Sequence, residues 1–238
     1  GSPPNRLYKI VPGVLPLGTT MTKPRAQTWC QWVILILALF LRWPLAEPHW
    51  YHGDEWAFTV HPLGFWSGDL NPHFFNYPTL QFYFNSIVYY LYYLLFGDEA
   101  IDSFIAYRYF VQDADLIAIA RGISTLAAVA TVAVAIRIGT TLYGTKNGLL
   151  AGLFLAAMPL HVRFSHLAIV DVPAALWTTL AVLFAIRIAQ NGCTSSYLSS
   201  GVFIGLAAAT KYPAALVVVP VLVASLIDRP TLKNVRLW

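Results

Sequence analysis

The stretch His52-Gly53-Asp54-Glu55-Trp56 places two adjacent carboxylates directly after the first apolar segment of the chain. Charged groups are costly in hydrocarbon, so carboxylates close to a membrane span generally bind a ligand or react. The chain is 58% hydrophobic and only 11% charged, and its mean hydropathy is +0.60. An ordinary soluble domain carries about 25% charged residues. The composition therefore predicts an integral membrane protein, and the acidic stretch predicts a functional polar face.

Six apolar segments predict an all-α, polytopic bundle of transmembrane helices. They cover approximately 29–43, 116–138, 147–160, 167–186, 197–210 and 212–227. Several are shorter than the ~20 residues that a straight span needs, so tilt or local thinning of the bilayer must accommodate them. A further apolar segment, 78–96, is rich in tyrosine. We expect it to lie at the interface or to insert partly, without crossing.

The distribution of charge predicts the orientation in the membrane. Nine of the eleven acidic residues lie between the first apolar segment and the segment that begins at 116. If 78–96 does not cross, ten of the fifteen basic residues share the opposite side with a single acid, Asp228. The positive-inside rule makes that side cytoplasmic and places Asp54 and Asp171 on the extracytoplasmic side. The basic residues are dispersed, which fits orientation in a bilayer and predicts no nucleic-acid partner.

The composition also predicts three parts of the chain. Residues 1–25 are rich in Pro and Gly and carry four basic side chains, which is typical of a flexible tail. Residues 26–228 form the predicted transmembrane domain, in which 44–115 is an extracytoplasmic loop with short interfacial helices. We expect 229–238 to be a cytoplasmic tail or the start of a further part of the protein.

Asp54 and Glu55 are the first candidates for chemistry. A carboxylate at such a place suits a general base, a metal ligand or both. The structural alternative is that the two acids begin a helix, where they stabilise the free N–H groups and the helix dipole. Their position beside a membrane exit favours function. A divalent cation is left open, because the spacing of His52, His61 and His73 is not diagnostic of a metal site.

A second polar group interrupts apolar sequence at His161-Val162-Arg163-Phe164-Ser165-His166 and continues to Asp171. Pro173 at a helix start makes Asp171 a good N-cap, but a buried N-cap carboxylate can also face a site. Arg163 is expected either to pair with Asp171 or to bind a phosphate through two parallel hydrogen bonds.

Two further cations and one aromatic segment remain open between function and anchoring. Lys211 needs a carboxylate or phosphate partner if it is buried, or else its stem lies along apolar surface at a span end. Arg121 opens a span and either anchors it or contacts an anionic headgroup. The segment 71–78, with Asn76 and Tyr77, combines rings and polar groups in a way that suits sugars and also interfacial anchoring.

Taken in order, these motifs resemble the membrane glycosyltransferases of the GT-C fold, and in particular the protein O-mannosyltransferases of glycosyltransferase family 39 and the aminoarabinose-transferase-like proteins. The resemblance covers about 29–227. The motifs are Asp54-Glu55, Asn76-Tyr77-Pro78-Thr79-Leu80, Ala120-Arg121-Gly122-Ile123-Ser124, Leu142-Tyr143-Gly144, His161 to His166 with Asp171-Val172-Pro173, and Gly205-Leu206-Ala207-Ala208-Ala209-Thr210-Lys211-Tyr212.

The resemblance implies an enzyme that moves a sugar from a polyprenyl-phosphate donor, with inversion, to an acceptor that is a lipid, a glycan or a protein. It implies that Asp54 is the catalytic base, with Glu55 beside it, and that Asp171 is a second important acid. It also implies an integral protein of a prokaryotic plasma membrane whose active face is extracytoplasmic. Relatives are longer, so we expect the chain to be an N-terminal catalytic portion.

Three cations are candidates for binding the donor phosphate. By the resemblance, Lys211 matches a lysine near that phosphate and Arg121 matches the arginine that opens the second span. Arg163 is a further candidate, because cations stabilise the charge that develops on the leaving phosphate. Many relatives have Lys-Pro-Pro where this chain has Tyr77-Pro78-Thr79, so one lysine contact is missing. The residues expected to line the substrate are His52, Asn76, Tyr77, His166 and Tyr212.

The main alternative is a membrane transporter or lipid-binding protein, because Asp, Arg and Lys residues within a membrane also mark transport paths. That alternative predicts inverted internal repeats, and the sequence shows none. A purely structural subunit would not need the clustered acids and histidines.

Overall fold

The computed structural model describes residues 25–43 and 52–227. The predicted tails at 1–25 and 229–238 lie outside them, apart from Arg25. Within the described ranges the chain forms ten α-helices and no β-strand, which confirms the all-α prediction. The helices are α1 (Arg25–Arg42), α2 (Gly53–Gly64), α3 (Leu80–Phe96), α4 (Ile101–Phe110), α5 (Ala114–Tyr143), α6 (Thr145–Ala157), α7 (Pro159–Ser165), α8 (Asp171–Asn191), α9 (Thr194–Thr210) and α10 (Val218–Ile227).

Each predicted apolar segment contains helix, but the fourth segment begins later than expected. Residues 166–170 form a turn, four residues of which are buried, and α8 starts only at Asp171. The N-cap position is Val170, so Asp171 is the first residue of the helix and not its cap. The segment 212–227 is a 3-10 turn, Tyr212–Val217, followed by α10. Asp171 is therefore a half-buried residue in the first turn of α8.

Length and composition allow two helices of the described part to cross a membrane, α5 and α8. A bend of 59° separates α6 from α7, and the two together are long enough for a third span. Pro159 begins α7 and lacks the N–H that would continue α6, which explains the break. The stretches Ala26–Arg42 and Tyr212–Ile227 are shorter and apolar. The six-span topology and the interfacial position of α3 therefore stay predictions.

Helix α5 is the centre of the bundle and packs against α1, α6 and α8. Its 30 residues span about 45 Å at 1.5 Å per residue, which exceeds the roughly 30 Å hydrocarbon core. One end of the helix must therefore stand in the polar zone. Asp115, at its first turn, accepts hydrogen bonds from Arg108 at 2.8 Å and from the Tyr92 hydroxyl at 3.0 Å. This polar end lies next to the predicted extracytoplasmic loop.

Glycine allows the close contact between α5 and α6. A Cβ atom on Gly148 would lie 2.6 Å from the carbonyl oxygen of Ile136 and would also collide with the Thr140 hydroxyl. A Cβ on Gly139 would lie 2.8 Å from the Cα of Gly148. Small residues at helix contacts let backbones approach closely in a membrane, and here they fix the α5–α6 spacing.

Gly148→Ala is predicted to lower the free energy of unfolding by about 1–3 kcal/mol, because the added methyl meets rigid backbone. Gly201→Ala is the matched control: this helical glycine in α9 has open space around it, so alanine should be neutral or stabilising by up to about 1 kcal/mol. Thermal unfolding of both variants in detergent measures the difference. Equal effects of the two substitutions would contradict the packing described.

Candidate active site

The first turn of α2 separates the two adjacent acids. His52 is the N-cap, and its Nδ1 accepts a hydrogen bond from the Asp54 backbone N–H at 3.2 Å. Glu55 completes the capping box, because its Oε2 accepts from the His52 backbone N–H at 3.2 Å. The predicted helix start is therefore present. Glu55 turns into the protein and is fully buried, whereas the side chain of Asp54 is 38% exposed.

Glu55 and Arg121 form a buried ion pair that joins α2 to α5. The Arg121 Nε donates to Glu55 Oε1 at 2.9 Å, and its Nη2 donates to Oε2 at 3.1 Å. The backbone N–H of Ala168, in the turn before α8, donates to the same Oε1 at 2.8 Å. The exposed fractions of the two side chains are 0% and 2%. Both side chains are buried and bound to each other. The geometry therefore does not favour the catalytic role predicted for Glu55 or the phosphate contact predicted for Arg121.

Asp54 is held by a tyrosine. The Tyr77 hydroxyl donates to Asp54 Oδ2 at 2.7 Å, and His52 Nδ1 lies 3.7 Å from the same oxygen. The hydrogen bond to Asp54, then burial and the negative charges of Asp54 and Asp171, raise the pKa of Tyr77 to about 12. The phenol therefore keeps its proton near neutral pH. Tyr77 packs on the apolar cluster that contains Val170, the residue before Asp171, so the two predicted carboxylates lie in the same region.

Asp171 is paired with Lys211. The lysine Nζ lies 2.6 Å from Asp171 Oδ1, and the side chains are 32% exposed for Lys211 and 34% for Asp171. Lys211 lies between α9 and the following 3-10 turn, so the pair joins α8 to the end of α9. An ammonium group has three N–H donors, and Asp171 uses one. Among the described residues, Lys211 and not Arg163 is the ionic partner of Asp171.

The remaining residues predicted for the site have separate surroundings. His166 Nε2 lies 3.1 Å from the Leu41 carbonyl oxygen, so the ring ties the end of α7 to α1. Arg163 and Asn76 are exposed, and Tyr212 is exposed beside Lys211. His52 touches Asp54 through the cap described above. The structure thus brings together His52, Asp54, Tyr77, Asp171 and Lys211.

Sequence reasoning missed Arg42, which is fully buried at the end of α1. Its guanidinium donates to the carbonyl oxygens of Leu155 at 3.0 Å and Ala156 at 2.8 Å, and to His161 Nδ1 at 3.0 Å. These carbonyls lie at the end of α6, where Pro159 interrupts the helix. The only signal in the sequence is Pro159 itself, because a break leaves carbonyl groups that need donors.

One cavity, of about 260 Å³, is lined by Asp171 with His161 and Phe164, and two larger cavities are lined by other residues. An apolar groove of about 590 Å³ lies between α3, α5, α8 and α9 and is lined by Leu80, Gln81, Pro173 and Trp177, among others. A second groove of about 530 Å³ lies at the far end of α2, near His61, Asp69 and His73. Residues 25–43 and 52–227 contain no group of three or more His, Cys, Asp or Glu residues that could hold a metal ion. The divalent cation left open by the sequence therefore has no assigned ligands.

Comparison with known proteins identifies the second half of the chain. The family model described as dolichyl-phosphate-mannose-protein mannosyltransferase matches residues 115–238, just over half of the sequence. Neither the curated proteins nor the solved structures contain a match. The matched range includes Arg121, Asp171 and Lys211, whereas Asp54 and Tyr77 precede it. The match confirms the resemblance inferred from the motifs.

Glu55→Gln is predicted to lower the free energy of unfolding by about 3–5 kcal/mol, because it leaves the Arg121 charge buried without its ionic partner. Asp115→Asn is the matched control, since it removes a carboxylate that is 42% exposed and should cost about 1 kcal/mol or less. Thermal and denaturant unfolding in detergent measure both. The double variant Glu55→Met/Arg121→Met should recover much of the loss. Equal stability of Glu55→Gln and Asp115→Asn would contradict a structural role for the pair.

Proposed function

The chain belongs to the dolichyl-phosphate-mannose-protein mannosyltransferase family, and we propose that it transfers the sugar of a polyprenyl-phosphate donor to an acceptor hydroxyl with inversion, with Asp54 as the base. Membership makes it an integral membrane glycosyltransferase with the all-α GT-C type of fold. The base, the stereochemistry and the extracytoplasmic location are the proposal. The observation that carries it is that Asp54 and Asp171 are bound to partners of different charge.

Asp54 and Asp171 both act on the Tyr77 hydroxyl, but the two carboxylates are bound to different partners. Asp171 is bound to a cation, Lys211, at 2.6 Å, which opposes its negative charge and occupies one of its two oxygens. Asp54 accepts a hydrogen bond from a neutral phenol, and its Oδ1 has no hydrogen-bond partner among the described residues. Environments that differ in this way assign different roles to two neighbouring carboxylates. Asp54 is therefore the better base.

The proposed step is a single displacement. Asp54 accepts the proton of the acceptor hydroxyl while the hydroxyl oxygen bonds to the anomeric carbon of the sugar. The bond from that carbon to the phosphate oxygen breaks, and its electron pair leaves with the lipid phosphate. Lys211 has N–H donors beyond the one that Asp171 uses, and they stabilise the charge that develops on the phosphate. Because the acceptor attacks opposite the leaving group, the configuration inverts.

The apolar groove supports a lipid-linked donor. Its lining begins with Leu80 and Gln81, three and four residues after Tyr77, and includes Pro173, two residues after Asp171. A volume of about 590 Å³ lies within the range of ligand cavities. A polyprenyl chain in this groove would lie along α3 and α8, with its phosphate towards Pro173, two residues from the Asp171 that binds Lys211. The exposed Arg163 is a second candidate for that phosphate.

Asp54→Asn is predicted to lower transfer at least about 100-fold, because removal of a general base costs 10²–10⁴ in rate. The assay is transfer of radiolabelled sugar from a panel of polyprenyl-phosphate sugars in membranes that contain the protein. Asp69→Asn is the control: Asp69 is an exposed acid of the same loop that pairs with His73 at 2.7 Å, and its variant should keep activity. Full activity of Asp54→Asn would overturn the base assignment.

A further inference from the structure

The ring of Tyr77 is held from two sides. It packs against Phe58 of α2, with ring centroids 5.3 Å apart, and stacks on Phe74 at 6.4 Å. Both rings belong to the apolar cluster that also contains Phe82 and the buried turn before α8. The next residue, Pro78, is buried and fixes the backbone direction. The hydroxyl of Tyr77 is therefore presented to Asp54 by a packed scaffold.

The hydrogen bond between Tyr77 and Asp54 has one direction. A carboxylate only accepts, so the phenol donates its proton to Oδ2. That hydrogen bond, then burial and the negative charges of Asp54 and Asp171, raise the pKa of Tyr77 to about 12. Near neutral pH, Tyr77 is therefore a neutral donor.

We propose that Tyr77 is a positioning residue for the base: its hydroxyl occupies Oδ2 of Asp54 and leaves Oδ1 to take the proton of the acceptor. The proposal rests on the proposed function, in which Asp54 is the base. A carboxylate free to rotate would present either oxygen in many directions. A carboxylate with one oxygen fixed presents the other in one direction, and the orientation of a catalytic group is a large part of its contribution to rate.

The charges around Asp54 explain why a neutral donor matters. His52 approaches the same Oδ2 at 3.7 Å, but its Nδ1 accepts the Asp54 backbone N–H in the helix cap. Glu55 is bound by Arg121 of α5, and Asp171 of α8 is bound by Lys211. Arg121 and Lys211 thus each have a carboxylate partner other than Asp54. Tyr77 therefore orients Asp54 without adding a positive charge beside it.

Tyr77→Phe is expected to lower kcat about ten- to a hundredfold, the range for a lost hydrogen bond to a charged group. The KM for the polyprenyl-phosphate sugar should stay within about twofold, since the phenol does not touch the donor groove. Phenylalanine keeps the packing on Phe58 and Phe74, and circular dichroism checks the fold.

Tyr83→Phe is the matched control. Tyr83 packs on the same apolar cluster, and its hydroxyl also donates one hydrogen bond, but to the Leu70 carbonyl oxygen, at 2.9 Å, and not to Asp54. This variant should keep the wild-type kcat and the wild-type KM. A kcat of Tyr77→Phe that matches that of Tyr83→Phe would overturn the positioning role. The base assignment would survive that result, because it depends on Asp54→Asn.

A measurement without turnover tests the same contact. Difluorotyrosine incorporated at position 77 titrates at a lower pH than tyrosine, and fluorine NMR follows its ionisation in detergent. Asp54→Asn should lower the pKa at position 77, because the negative charge and the charged acceptor are both lost. An unchanged pKa would overturn the contact that the proposal needs. A lowered pKa together with full transfer by Asp54→Asn would instead overturn Asp54 as the base, and with it the role of Tyr77.

Discussion

The buried pair of Glu55 and Arg121 is the interaction on which the candidate site depends. Removing two charges from water is costly, and the cost is repaid only when their hydrogen bonds are satisfied inside the protein. Here the carboxylate accepts two hydrogen bonds from the guanidinium, one from the Ala168 backbone and one from the His52 backbone. Four donors around one carboxylate fix the first turn of α2 against α5 and against the turn before α8. Because Asp54 immediately precedes Glu55, the pair also sets the direction in which Asp54 projects.

A second set of contacts restrains the short helix α7, which leads into the turn before α8. Pro159 ends α6 and creates the bend, and the carbonyl oxygens that it leaves are bound by the buried Arg42. The Thr125 hydroxyl of α5 donates to the Arg42 carbonyl oxygen at 2.7 Å and lies 3.3 Å from that of Ser165, so α1 and α7 meet on α5. The short helix α7 is held at its start by Arg42 and at its end by these contacts. The turn that carries Ala168 to Asp171 is thereby restrained at both ends.

The sequence predicted the helices well because apolar segments in a membrane have few alternatives to helix. It also selected Asp54, Asp171 and Lys211, since charges in apolar sequence are conspicuous. It could not predict partners. The contact between Glu55 and Arg121 joins positions 66 residues apart, and nothing local distinguishes a carboxylate that caps a helix and binds a buried arginine from one that reacts. For the same reason Arg121 was expected at the donor phosphate. The start of α8 was misplaced because residues 167–170 are as apolar as the helix that follows.

The three carboxylates of this region differ in burial and in the kind of partner they bind, and these differences suit them to different roles. Glu55 is fully buried and bound to a guanidinium, so it can neither reach a substrate nor take up a proton without leaving a buried charge unpaired. Asp171 is 34% exposed but bound to an ammonium, which suits a group that holds Lys211 in place beside a phosphate. Asp54 is 38% exposed and bound to a phenol, which orients it and leaves its charge unopposed. Reactivity is therefore expected where exposure coincides with a neutral partner. That combination is created by packing, because only the cluster of Phe58, Phe74 and Tyr77 brings a hydroxyl instead of a cation to Asp54.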